Sequence, residues 1–126
     1  MKWLRVTLLS LALIAFKIVG VAEAQSLSLT PGNVLLTATF EAISFRTQFA
    51  GDANANARVT VQFKQNSETL WHTAYPPFID RRATIGGVSN PYASEARGSI
   101  VGLVPNTTYQ VQVTWTDPDG VSGPIR

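Results

Sequence analysis

The chain of 126 residues contains no cysteine and only one histidine, His72. Without cysteine there is no disulfide framework, no thiolate nucleophile, no thiolate zinc site and no lipidated amino-terminal Cys. A lone histidine excludes a His-cluster metal site or a two-His mechanism within one chain. Charge is also scarce: charged residues make up 14% against 45% apolar, a balance too hydrophobic for a disordered chain. Beyond the amino-terminal segment there is no long hydrophobic run and no apolar helical face of useful length. At this length the chain is one ordinary domain.

The amino-terminal segment reads as an export signal. Lys2 and Arg5 form a basic start, and Val6 to Phe16 is apolar apart from Thr7 and Ser10. Ala22-Glu23-Ala24 then puts small residues at the two positions a signal peptidase reads, so residues 1–24 are the expected leader and the domain spans 25–126. The competing reading is a retained anchor, but Lys17 ends the apolar run at about 11 residues, short of the roughly 20 a membrane span needs. No Arg-Arg pair marks a twin-arginine signal. The expected location is therefore secreted or at the cell surface, with no membrane span after cleavage.

Removing the leader changes the charge. Seven basic residues remain (Arg46, Arg58, Lys64, Arg81, Arg82, Arg97 and Arg126) against seven acids (Glu41, Asp52, Glu68, Asp80, Glu95, Asp117 and Asp119). Seven against seven leaves no basic stripe to follow phosphates, so no nucleic-acid partner is expected.

What remains alternates with period two. Leu27 to Leu29 reads as a short first strand and Thr30-Pro31-Gly32-Asn33 as the turn after it. Val34 to Phe40 is a strand with Leu36, Ala38 and Phe40 on one face. Ile43, Phe45, Thr47 and Phe49 face inward, leaving Arg46 in solvent. Residues 51–57 form a loop, and Val59, Val61 and Phe63 point inward from the next strand. Thr69 to Tyr75 is a return strand stopped by Pro76-Pro77, which cannot donate to a ladder. A short strand near Ala83 to Ile85, another over Ser99 to Leu103, and Tyr109 to Trp115 complete the set. Asp117-Pro118-Asp119-Gly120 is a tight turn. Six or seven short strands at this spacing argue an all-β antiparallel sandwich.

The run Gly102-Leu103-Val104-Pro105-Asn106-Thr107-Thr108-Tyr109-Gln110-Val111-Gln112-Val113 resembles the penultimate strand of a fibronectin type III domain. Leu103, Pro105, Thr107 and Tyr109 match the family's recurring residues. The resemblance implies an immunoglobulin-like sandwich of the fibronectin type III type. It also implies a tyrosine corner, in which the Tyr109 hydroxyl bonds backbone just upstream and pins the crossover between sheets. Phe45 stands where the family has a core Trp, and Val59 to Lys64 followed by Trp71 is similar to its third and fourth strands. The likeness covers about residues 27–122, and its specific part is 103–113. No Cys-Trp-Cys frame exists, which excludes an antibody-type domain. The family has a further strand after the turn at Asp117 to Gly120, where only Val121-Ser122-Gly123-Pro124-Ile125-Arg126 stands here. The expectation is a fragment lacking its last strand, with a natural chain that has a minimal last strand as the alternative.

No residue set reads as catalytic, cofactor-binding or metal-binding. Asp117 and Asp119 are explained by turn chemistry and fall short of the six to eight oxygens calcium takes. His72 reads as a solvent-facing strand residue. Trp71 and Tyr75 share parity on one strand face, which is either core or a platform for stacking on sugar rings. Asp80-Arg81-Arg82 reads as a solvated loop. Asn106-Thr107-Thr108 fits the N-glycosylation pattern, which matters only in a eukaryotic host. The expected function is a non-catalytic spacer or an interaction domain for an unknown protein or glycan partner, with no cofactor. The alternative is an accessory domain of a larger secreted polysaccharide-degrading hydrolase or lyase.

Overall fold

The computed structural model describes residues 26–123; the expected leader over 1–24 and residues 124–126 lie outside the described residues. Among the described residues there is no helix. The strands are β1 (Leu29–Ala38), β2 (Ala42–Gly51), β3 (Arg58–Gln65), β4 (His72–Thr73), β5 (Phe78–Asp80), β6 (Thr84–Ile85), β7 (Val88–Ser89), β8 (Glu95–Val101) and β9 (Tyr109–Thr116). One sheet has the order β1-β2-β8-β5, a second the order β4-β3-β9, and β6-β7 is a separate hairpin. All pairings between these strands are antiparallel. The two larger sheets face each other in the manner of a β-sandwich.

Their packing follows from strand alternation. On β2, Phe45, Thr47 and Phe49 are buried, while Ser44, Arg46 and Gln48 point the other way. On β9, Val113 and Trp115 are buried. Trp115 joins the sheets: its ring centroid lies 5.0 Å from that of Phe49, and its Nε1–H donates to Thr47 Oγ1 at 3.3 Å. This seats β9 over β2.

The fully buried Phe45 ring lies against Gly98 of β8, its register partner. A Cβ at Gly98 would come within 2.5 Å of Phe45 Cζ, so the glycine makes room for the ring.

The crossover into β9 is a hydrogen-bonded corner. The Val104 N–H donates to the Tyr109 hydroxyl oxygen at 3.0 Å, and Thr107 Oγ1 donates to the Pro105 carbonyl at 3.2 Å. Leu103 is buried, and its N–H donates to the Glu41 carbonyl at 3.0 Å. Asn106 has φ 55°, a left-handed conformation that Asn tolerates better than most side chains, so backbone geometry accounts for Asn at this place.

Several expectations are corrected. The turn at Thr30 to Asn33 lies inside β1, which carries on through an irregularity between Pro31 and Val34. Phe40 falls outside the strand and is exposed. The return strand over Thr69 to Tyr75 shrinks to His72–Thr73, because Leu70 and Trp71 find no layer to pack against. The strand expected from Ser99 starts earlier, at Glu95. Its small inward residues Ala96 and Gly98 carry no obvious core signal, yet Ala96 is fully buried.

Two substitutions test this packing. Gly98→Ala should cost about 1–3 kcal/mol by overpacking against Phe45, with much of the loss recovered when Phe45→Leu is added. Tyr109→Phe should cost about 1 kcal/mol through the lost corner hydrogen bond. Urea unfolding of each variant reads both values.

Candidate functional site

The outer face of the four-stranded sheet carries the most organised polar arrangement. Register places Leu35, Arg46, Arg97 and Phe78 across β1, β2, β8 and β5 on one rung. Two arginines directly opposite each other repel. Carboxylates on a neighbouring rung, Glu95 and Asp80, answer them diagonally, and those two residues are themselves register partners. Arg46 forks onto Glu95, with Nε to Oε1 at 2.7 Å and Nη2 to Oε2 at 2.8 Å. Arg97 Nη2 donates to Asp80 Oδ2 at 2.9 Å. Arg82 doubles that contact, with Nε on Oδ1 at 2.9 Å and Nη2 on Oδ2 at 2.8 Å.

Aromatic rings fill the spaces between the guanidinium groups. Arg46 and Arg97 each sit 5.0 Å from the centroid of Tyr92, and Arg97 and Arg82 lie 5.8 Å and 6.0 Å from that of Phe78. The result is an alternating stack, Arg46–Tyr92–Arg97–Phe78–Arg82, with two guanidinium groups close to each ring. Asp80 and Glu95 are each only 1% exposed beneath it, while Tyr92 and Phe78 remain open to solvent.

The electrostatics follow from these contacts. Hydrogen bonds from the Arg82 side chain hold the Asp80 carboxyl well below the usual carboxylate range, outweighing the desolvation that pushes it up; the Arg82 N–H and the Asn90 amide act in the same direction. Arg82 and Arg46 are raised in turn, chiefly by their hydrogen bonds to Asp80 and Glu95. Asn90 closes this end: its Nδ2 donates to the Arg82 carbonyl at 2.8 Å and its Oδ1 accepts from the Tyr92 N–H at 3.0 Å.

A third buried carboxylate organises the loop after β2. Asp52 Oδ1 accepts the N–H groups of Asn56 and Ala57 at 2.9 and 3.0 Å, and Arg81 Nε donates to its Oδ2 at 2.8 Å. The adjacent residues Arg81 and Arg82 thus serve different carboxylates. The reading of Asp80-Arg81-Arg82 as a solvated loop is overturned, as is that of Arg46 as a plain solvent residue: each arginine is a lid on a buried acid.

Trp71 and Tyr75 lie on the other sheet's flank. Trp71 is 37% exposed, with Lys64 Nζ 5.2 Å from its ring centroid, and Tyr75 is 78% exposed. They are therefore surface residues. Tyr75 borders a groove of about 280 Å³ with Phe63, Pro76 and Ile100, of which Trp71 is not part. His72 is exposed, with Nε2 at 3.5 Å from Glu68 Oε2. Asp117 and Asp119 form the turn foreseen from the sequence, with the Asp119 N–H on Asp117 Oδ1 at 2.8 Å. Amide donors from Asn54 and Asn56 hold the Asp119 carboxyl below its ordinary value. No group of three or more His, Cys, Asp or Glu able to hold a metal occurs among the described residues.

The sequence did not point to the arginine–aromatic stack. Its clue was alternation in Glu95-Ala96-Arg97-Gly98, where charged residues share one face and small ones the other. Comparison of the chain with family models, curated proteins and solved structures finds no match.

The depressed Asp80 carboxyl makes a pH prediction. Because its folded pKa is lowered, its stabilising contribution is complete above the unfolded value near about 4 and is lost as pH falls from there. Asp119 acts in the same sense. Denaturant midpoints should therefore drop below about pH 4, and the gap between the parent chain and Arg82→Ala should narrow over the same range. A gap that stays constant down to about pH 2 would show that Arg82 does not set the Asp80 titration.

Proposed function

We propose that the chain is an exported, non-catalytic module of the fibronectin type III kind, serving as a spacer or as an interaction domain for a protein or glycan. The Leu103–Tyr109 corner supports the family reading, since the residues of the resemblance are those that make its hydrogen bonds. The strand order, with β1-β2-β8-β5 against β4-β3-β9, accords with it. Fold alone does not give function, so the interaction reading rests on a surface.

The observation that carries it is the Arg46–Tyr92–Arg97–Phe78–Arg82 stack. Three arginines are held in fixed positions by buried carboxylates, and the two rings between them stay exposed. Such a surface has already met the entropic cost of ordering, which favours binding. Arginine and tyrosine are also the residue types enriched where binding energy concentrates.

Binding of the leader-free protein to an array of soluble glycans and extracellular proteins tests the reading. Tyr92→Ala should weaken a partner seated on the stack by about tenfold or more and leave a partner on Trp71 unaffected. Trp71→Ala should do the reverse, and quenching of tryptophan fluorescence by a glycan would report that second face. Release of new reducing ends from any glycan on the array would overturn the non-catalytic assignment.

A further inference from the structure

The outer face of the four-stranded sheet presents charge of one sign. Strands β1, β2, β8 and β5 carry two acids between them, Glu95 and Asp80, and both are buried beneath arginines. The Arg46, Arg97 and Arg82 side chains above them remain between 31% and 56% exposed. A molecule approaching the stack therefore meets donors and hardly any carboxylate oxygen. Three guanidinium groups over two carboxylates also leave one positive charge unmatched.

Each guanidinium has a free end. Arg46 and Arg82 use their Nε and Nη2 atoms on a buried carboxylate, and Arg97 uses Nη2 alone. Among the described residues no acceptor lies on Nη1 of any of the three. A further carboxylate can fork onto such an end, because both groups are planar and match in geometry. The buried acids already hold the arginines, so the arrangement exists before a ligand arrives.

The neighbouring rung has a different character. Thr37, Ser44 and Ser99 follow one another across β1, β2 and β8, all exposed, and the Ser44 and Ser99 hydroxyls are 3.3 Å apart. A shelf of short hydroxyl side chains thus runs beside the taller arginines. Arg46 and Arg97 stand on adjacent strands, about 5 Å apart at the backbone, close to the length of one pyranose unit in a linear glycan. Tyr92 and Phe78, exposed among them, supply apolar contact for the C–H groups of a sugar. A peptide backbone gains nothing comparable here, since β2 and β8 are inner strands with a partner on each side.

We propose that this face binds a linear glycan bearing uronate carboxylates. Its chain crosses the strands from Arg46 towards Arg82, its carboxylates pair with the free guanidinium ends, and its hydroxyls meet the Thr37–Ser44–Ser99 shelf. This rests on the reading of the stack as an interaction surface and names the chemistry of its partner.

Calorimetric titration of the leader-free protein with hexagalacturonate and with its fully methyl-esterified form tests the proposal. The acid should bind about tenfold or more tightly than the ester, and its affinity should fall as salt rises. Leu35 shares the rung of Arg46 and is half-exposed, and it makes none of the hydrogen bonds of the stack. Leu35→Lys should tighten binding of the acid about threefold and Leu35→Glu should weaken it about tenfold, both at an unchanged melting temperature. Arg82→Lys keeps a charge over Asp80 but lacks the fork, and should weaken the acid by about tenfold as well. Equal binding of acid and ester overturns the proposal, as do no binding of either and equal affinities of the two Leu35 variants. A sulfated hexasaccharide bound as tightly as the acid overturns it too, since the face would then count charge alone. If hexagalacturonate fails while Tyr92→Ala still disrupts a neutral glycan or a protein partner, the stack remains an interaction surface and only this partner falls. If Tyr92→Ala disrupts no partner at all, the interaction reading falls with it.

Discussion

Trp115 decides how the two sheets stand relative to each other. There is no cysteine to tie them, so their alignment rests on side chains that meet across the interior. A buried indole must place its N–H on an acceptor. The Thr47 hydroxyl, the buried polar group on the inner face of β2, provides one. Phe49, two residues further on, then meets the indole ring. The hydrogen bond is directional where apolar contact is not, so it selects β2 rather than β1 as the strand beneath β9. The overhang of β1 and the half-exposed Leu36 follow from that choice.

β8 ties the interior to the outer face. Of its inward residues Ile100 is a large core side chain, while Ala96 and Gly98 are nearly without side chains, the Phe45 ring filling the volume a Cβ at Gly98 would take. Its outward residues, Glu95 and Arg97, serve the charged stack. Overpacking at Gly98 would thus move the backbone on which Arg97 stands. On the outer face, like charges on one rung are tolerated because the carboxylates lie diagonally and the rings of Tyr92 and Phe78 accept the guanidinium faces. Burying Asp80 and Glu95 removes water that would weaken these attractions, and each has an arginine to offset its desolvation.

Legibility in the sequence followed the range of the interactions. β2, β3 and β9 could be read because large apolar residues alternate with polar ones within each strand. The corner at Leu103 to Tyr109 could be read because its partners lie within a few residues of each other. β5 could not: Phe78-Ile79-Asp80 is three residues long and is a strand only because β8 lies beside it. The stack was equally hidden, since Arg97 and Asp80 are 17 residues apart and Arg46 and Glu95 are 49 apart. Trp71 and Tyr75 have the parity of a strand face, but their segment pairs with β3 over no more than His72 to Ala74. Same-parity aromatics on a short edge segment carry no information about what, if anything, covers them.

Sheet edges show where the molecule is guarded and where it is not. A strand edge exposed to solvent invites pairing, and proteins blunt it with short length, proline, irregularity or charge. β4 is two residues long. β5 is three, follows Pro76-Pro77 and lies among arginines. β1 contains Pro31 and an irregularity before Val34, and its start is covered by Val121. β9 has none of these devices. It is eight residues long, its register against β3 is unbroken, and Tyr-Gln-Val-Gln-Val-Thr-Trp-Thr includes neither charge nor proline. Among the described residues three edges are thus blunted and the longest unbroken one is bare, so β9 is where this fold is most open to strand pairing.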